Sequence, residues 1–544
     1  MTDLKSDRRR DMPAINRRHF LYGSGLAVGA ALVGTSGASA TTGTSANGRA
    51  AVSAYGQADS PTPGGSTIWA QELDPVSLDP HTTSNFSSVQ GVEHTYQSLT
   101  MYDEELNVIP CLAESWETPD DTTYVMKLRQ GVLWHDGSEF TADDVKYSLE
   151  RLLAPETAGP YATWFNAIET IDVIDPHTVQ LNLSAPFGPL LANFAAMRGS
   201  AIVKNNAADE MNLQIQAVGT GPYMMQDYVP ESHFTLVKNE NYWEEGLPYV
   251  DEVTFKILVE EDARVAALRS GQIGYAYLTV EGAERVADEA SVEVMQSPKA
   301  WLVAHFMNTF REPYTDVRVR QAISMAVDRQ EVIDKAVGGA GVLSGPMPTG
   351  HGDWFIPVES LPYKRDLEGA KALLAEAGFP DGFKTTITSS PQYPEFVAAS
   401  VVLQQQLAQI GIDAEVIQLE WGQFVSDTSR AEGWNYDMKI TAFTFYPDPD
   451  GYFYNPWHTD SSSNYTYSNP AYDAIVEEAR ATLDLEARHD LYNQAAQILL
   501  EESPAIFWYV GENIEAVTAN VRDYTQSYTG RRIFLKKTWL DQSQ

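Results

Sequence analysis

Cysteine is almost absent from this chain: Cys111 stands alone among 544 residues. An intrachain disulfide is therefore excluded in any redox compartment, and Cys111 is expected to behave as a small buried hydrophobe rather than a nucleophile. Positive charge is also scarce, with 37 Lys and Arg against 74 Asp and Glu and a formal net charge of −37. That balance argues against nucleic acid or anionic lipid as a partner; it suits solubility and says little about a small ligand. Long hydrophobic runs are missing as well. The apolar run Leu26–Val33, broken by Gly29 and followed by Gly34, is too short for a membrane span. No repeat of the solenoid kind is present.

Catalytic signatures are missing motif by motif. The ten His residues are scattered, with no His-Glu-x-x-His and no pair at metal-ligand spacing. There is no Gly-x-Ser-x-Gly nucleophile elbow. Gly219-Thr220-Gly221 lacks the Gly-Lys-Ser/Thr of a phosphate loop, and Gly338–Gly345 follows a helical pattern, not a strand. Asp448-x-Asp450-Gly451 mimics part of a calcium loop, but Tyr446 and Trp457 occupy flanking ligand positions and cannot coordinate. No catalytic residue, metal site or cofactor is expected. Paired carboxylates leave no local signature, so a secreted hydrolase such as a glycosidase stays open as the competing class.

What is present begins with a targeting pattern. Arg8–Arg10 and Arg17-Arg18 precede the apolar run, and Ala38-Ser39-Ala40 follows it. Asn16-Arg17-Arg18-His19-Phe20-Leu21 resembles a twin-arginine export signal, with cleavage expected after Ala40. An uncleaved signal acting as a tether stays open. Six basic and three acidic groups lie in the first forty residues, so removing these takes −37 to −40. Residues 41–65 are rich in Ser, Thr, Gly, Ala and Pro and read as a flexible linker. The remaining chain exceeds one ordinary core, so two or three domains are expected.

The stretch 112–153 carries the clearest local order. Thr123–Leu128 alternates as a strand, and Trp134-His135-Asp136-Gly137 supplies a turn. Thr141 with Asp144 forms a capping-box pattern, and Val145, Leu149, Leu152 and Leu153 form one helical face. Leu112-Ala113-Glu114-Ser115-Trp116, Leu128-Arg129, Gly131-Val132, Trp134–Gly137 and Phe140–Val145 together resemble the signature of the family 5 solute-binding proteins. These are the dipeptide/oligopeptide-type receptors of ABC importers. The signature marks a fold, and its residues are not expected to touch ligand.

The rest of the chain reads as helices feeding strands, the α/β pattern. Strands are expected at Ser66–Ala70, Val179–Leu183, Val253–Val259, Ile412–Leu419 and Pro504–Val510. Helices are expected at about Ser88–Thr100, Ala263–Ser270, after the N-cap Asp316, over Asp366–Gly378 and Phe396–Ile410, and twice within 469–502.

The resemblance implies an α/β, two-lobed periplasmic-binding-protein type II fold, hinge-linked, with an extra subdomain in the first lobe. The expected division is 66–98 and 216–303 in lobe I, 99–215 in the subdomain, 304–505 in lobe II, and a return to lobe I over 506–544. It also implies a ligand cleft. By position Ser84, Asn85 and Phe86 face the ligand, Tyr161 reaches into the cleft, and Trp164 follows one helical turn on. Trp421, in Glu420-Trp421-Gly422-Gln423-Phe424, resembles the tryptophan that lines a side-chain pocket in peptide receptors. Aromatic residues crowd 434–467, and a cleft lined with them accepts varied groups. Phe443, Phe445, Tyr446 and Asp448 are the candidates from that crowd.

The stretch 443–453, FTFYPDPDGYF, is expected as a loop and departs from the peptide-receptor pattern. Those receptors carry an aspartate three residues before the Asp/Glu-Pro pair, and it binds the peptide's α-ammonium group. Aligned on Asp448-Pro449, that position is Phe445. The expectation is an exported, extracytoplasmic receptor, not an enzyme and monomeric. Its partners are a small solute (a peptide, a sugar or a similar polar molecule) and a membrane ABC permease. Ordinary peptides with a free N-terminus are expected to bind weakly.

Overall fold

The computed structural model describes residues 60–362 and 364–542. The expected export signal at 1–40 and the linker up to residue 59 lie outside the described residues.

Eleven strands form one large sheet. Across it run Asp413–Gln418, Lys384–Ser389, Met438–Phe443, Val292–Met307, Ala505–Thr518, Tyr275–Tyr277, Ser66–Gln71, Glu252–Ile257, His233–Lys238 and Tyr223–Val229; Gly341–Leu343 also pairs with Ala505–Thr518. Parallel neighbours are joined by helical crossovers, as when Pro394–Ala408 links Lys384–Ser389 to Asp413–Gln418. Two long antiparallel strands serve both halves of this sheet. Val292–Pro298 pairs with Glu512–Thr518, and Leu302–Phe306 pairs with Ala505–Val510. The ladder breaks between Pro298 and Leu302, where proline has no N–H to give.

Separate apolar cores pack on the two halves. Val303, Ile323, Leu403, Met438, Ile440 and Trp508 share one beyond the break. Trp69, Phe234, Phe255 and Tyr275 share another before it, with Trp69 and Tyr275 stacked at 4.7 Å. A four-stranded antiparallel sheet, in the order Ala113–Asp120, Thr123–Leu128, Thr178–Leu183, Ile168–Asp175, carries its own core with the helix Ala142–Leu153.

That third core explains the signature. The Thr141 N–H donates to the Asp144 carboxylate at 2.8 Å, closing the helix start. The Trp134 indole N–H reaches the same carboxylate at 3.3 Å. Burial lowers the His135 pKa to about 4, so the ring is neutral. One tautomer then satisfies both contacts: Nδ1 accepts from the Gly219 N–H at 3.2 Å, and Nε2 donates to the Gly221 carbonyl at 3.0 Å. A side chain at Gly219 or Gly221 would run into the carbonyls of Thr95 and His94, which fixes glycine at both. Cys111 is buried, accepts from the Gln97 amide at 3.4 Å, and has its thiol pKa pushed up to about 11 by burial.

Two local expectations need correction. The helix expected over Ser88–Thr100 runs only from Phe86 to Val92. The following carbonyls of His94, Thr95 and Gln97 accept instead from Tyr223, Gly221 and Ile202, so tertiary pairing ends the helix. The 443–453 segment is not all loop. Asp448 caps a helix over Pro449–Trp457, accepting from the Asp450 N–H at 2.9 Å, with proline at the first helical position.

Candidate functional site

Three cavities meet where the strand Met438–Phe443 ends. Thr444 lines all three. The first, of about 440 Å³, is bounded by Ser84, Phe86, Tyr161, Arg198, Tyr277, Lys299 and Phe445. The second, of about 620 Å³, is bounded by Tyr161, Trp164, Arg198, Phe445, Tyr446, Asp448 and Arg480. The third, of about 400 Å³, is bounded by Trp301, Tyr393, Trp421, Phe424, Lys439 and Tyr465. Shared walls make them compartments of one cleft. The broken ladder supplies part of that wall: Lys299, Ala300 and Trp301, freed from strand pairing, face inward.

The charged groups of the cleft differ in what holds them. Asp448 is buried, and both its oxygens accept from Arg488, at 3.0 and 2.6 Å. Burial works against the Arg488 charge, yet the Asp448 carboxylate beside it holds the guanidinium above its ordinary pKa. Asp450 pairs with Arg480 in the same two-pronged way, at 2.8 and 2.7 Å. Glu72, on the wall of the first compartment, lies in the field of Arg532. Asp448 and Asp450 are thus answered by protein cations, whereas one Glu72 carboxylate oxygen is buried with no hydrogen-bond partner among the described residues.

Arg198 is not answered in that way. Its guanidinium lies 5.8 Å from the Tyr161 ring and 5.9 Å from the Phe445 ring, and one N–H reaches the Phe445 carbonyl at 3.5 Å. Among the described residues no carboxylate lies within ion-pair distance of it. Desolvation lowers its pKa and Arg531 adds to this while Tyr161 opposes it; an arginine stays charged nonetheless. The point that carries an aspartate in the peptide-receptor pattern is thus a phenyl ring facing a guanidinium with no carboxylate partner among the described residues. His351 stacks on that ring at 5.7 Å, and Tyr102 meets it edge-on at 6.0 Å.

Eight of the ten sequence-derived candidates line these compartments: Ser84, Phe86, Tyr161, Trp164, Trp421, Phe445, Tyr446 and Asp448. Asn85 and Phe443 are placed elsewhere. Asn85 caps the helix Phe86–Val92, accepting from the Ser87 N–H at 3.0 Å. Phe443 is buried against Phe306 and Trp457. Sequence reading passed over Arg198, Lys299, Trp301 and Lys439. Gly451 has a role here too: the Tyr446 ring lies against it, where a Cβ would not fit.

Contacts also cross the cleft. The Tyr102 hydroxyl donates to the Pro447 carbonyl at 2.7 Å, and the Gly188 N–H donates to the Arg480 carbonyl at 2.8 Å. The Arg480 guanidinium stacks on Tyr454 at 3.2 Å.

A profile of the bacterial extracellular solute-binding proteins, family 5 Middle, matches residues 107–464. The chain belongs to this family. It is a solute-binding receptor of ABC importers with the two-lobed α/β fold. The glutathione-binding protein GsiB of Salmonella paratyphi A is 29% identical over 466 residues, covering 82% of this chain and 90% of the relative. The solved structure of AgaA from A. tumefaciens R10, in complex with agropinic acid, is 27% identical with a TM-score of 0.70, covering 88% of this chain and 99% of that one. DppA from Helicobacter pylori, in complex with the peptide STSA, is 26% identical with a TM-score of 0.71, over 88% and 99%. The family and these neighbours bind substrates and are not enzymes, and none supports the hydrolase alternative. The family works outside the cytoplasm with an ABC permease. Among the described residues no helix is long and apolar enough to cross a membrane.

Proposed function

We propose that this receptor captures an anionic, peptide-like solute and that Arg198 anchors its carboxylate. The observation that carries this reading is a guanidinium facing two compartments beside Phe445 with no carboxylate among the described residues to answer it. A solute carboxylate would supply the missing counter-charge, and charged hydrogen bonds in a desolvated site are strong. Relatives whose names record glutathione and agropinic acid fit the same chemistry. Ser84, Phe86, Tyr161, Trp164 and Tyr446 shape the surrounding walls, and Trp421 lines a side compartment. Phe445 offers no carboxylate to an α-ammonium group, so an ordinary peptide loses its usual anchor there.

Closure follows the same logic. The two long strands cross between lobes at 298–302 and 510–512, and ligand favours the closed state only through its differential affinity for it. The receptor is monomeric, does no catalysis and is exported through the twin-arginine-like signal. Denaturing the purified receptor and analysing what it releases by mass spectrometry is the test. The expected result is an intact carboxylate-bearing solute that also shrinks the radius of gyration and raises Tm when added back. A solute without an acidic group, or turnover to product, would overturn the reading.

A further inference from the structure

The third compartment holds a cation of its own. On the strand Met438–Phe443, Met438 and Ile440 enter the core beneath the helices, whereas Lys439 and Thr441 take the opposite face and line the cavity. Lys439 is 3% exposed. Its ammonium donates to the Thr428 carbonyl at 3.2 Å, at the C-terminal end of the helix Trp421–Asp427. The rings of Tyr465 and Tyr436 lie 4.2 and 4.8 Å from Nζ. Among the described residues no carboxylate comes within ion-pair distance. A carbonyl and two π-faces are weak compensation for a desolvated full charge. The cavity beside it is walled by Trp301, Tyr393, Phe396, Trp421 and Phe424.

We propose that this compartment is a second anionic subsite, in which Lys439 receives a carboxylate of the solute while the aromatic walls hold its carbon stem. The proposal rests on the reading of Arg198 as the first carboxylate anchor, and it adds that the preferred solute carries two. Trp301 joins the first compartment to the third, so one extended molecule can reach both cations.

Capture at Lys439 is coupled to protons. Burial pushes its ammonium down to about 7, and no acidic neighbour among the described residues holds it up. The other titratable groups facing it, Tyr436 and Tyr465, are held above the ordinary tyrosine value by burial and stay neutral. Arg430, on the same cavity wall, donates to the Thr459 and Ser461 carbonyls. Among the described groups that line this cavity, Lys439 is the one that burial brings to about 7. A carboxylate favours its protonated form, so affinity is full below pH 7 and falls as pH rises through that value, by about tenfold from pH 6 to pH 8.

Calorimetry with glutathione and its two monoamides, in buffers of differing ionisation enthalpy, tests this on wild type and on Lys439→Met. Wild type is expected to take up close to one proton per glutathione at pH 8 and to bind at least one monoamide without proton uptake. In Lys439→Met the uptake disappears, the pH profile flattens, and glutathione at pH 6 binds about tenfold more weakly. The wild-type proton count decides the matter even if that variant does not fold. Arg198-dependent binding with no proton uptake, or unchanged affinity and proton count in Lys439→Met, overturns this subsite alone. Binding of none of the three probes to wild type overturns the proposed function and this subsite with it.

Discussion

The signature stretch and the cleft stretch of this chain have opposite uses. Residues 112–153 carry the family resemblance, yet none of them lines the three compartments. Trp134, His135 and Asp144 spend their polar atoms on one another's loops and on the Gly219–Tyr223 turn. Residues 443–453 depart from the peptide-receptor pattern, and together with the strand before them they supply part of the floor and walls of the cleft. What is most recognisable in this chain holds the fold; the departure from the pattern lies in the cleft wall. The charges repeat the lesson. A chain with a net charge of −37 lines its cleft with Arg198 and Lys439, two cations that no carboxylate among the described residues pairs with.

The comparison breaks if a signature residue controls affinity or a cleft residue controls stability. Trp134 is buried, meets Phe140 edge-on at 6.2 Å and bonds to Asp144. Trp134→Ala should cost about 3–5 kcal/mol of stability in chemical denaturation. The folded fraction should bind ligand as wild type does; a specific loss of affinity would put the signature in the binding site. Trp421 is the counterpart. Half-buried, it stacks on Phe424 at 5.3 Å and meets Tyr393 edge-on at 5.0 Å on a cavity wall. Trp421→Ala should weaken binding by about 1–3 kcal/mol in calorimetry while the denaturation midpoint moves little. A large stability loss with unchanged affinity would reassign it to packing.

Much of the framework was legible in the sequence because its signals are local. Alternation marked Thr123–Leu128, and Asp316 does cap Val317–Ala326 by accepting from the Arg318 N–H. Family resemblance supplied four of the aromatic residues that line the cleft, Phe86, Tyr161, Trp164 and Trp421. Arg198 left no local trace. Met197-Arg198-Gly199-Ser200 has neither periodicity nor motif, and the fold brings Arg198 to Phe445 across 247 positions. Lys439 did leave a trace. A lysine between Met438 and Ile440 interrupts an otherwise apolar strand start, and a charge in such a place is costly unless it has a task. Phe443 and Phe445 could not be told apart from their types. The first ends a paired strand and points into the core; the second lies past the strand end, in the cleft wall.

The central claim is that the cleft anchors a carboxylate at Arg198 and no ammonium at Phe445. Calorimetry on wild type and Arg198→Ala, with a short peptide-like acid, its N-acetylated form and its carboxamide, tests it most directly. The account predicts that amidation costs wild type about 2–5 kcal/mol and costs Arg198→Ala nothing further, while acetylation is tolerated by both. Binding abolished by acetylation but indifferent to amidation would contradict it.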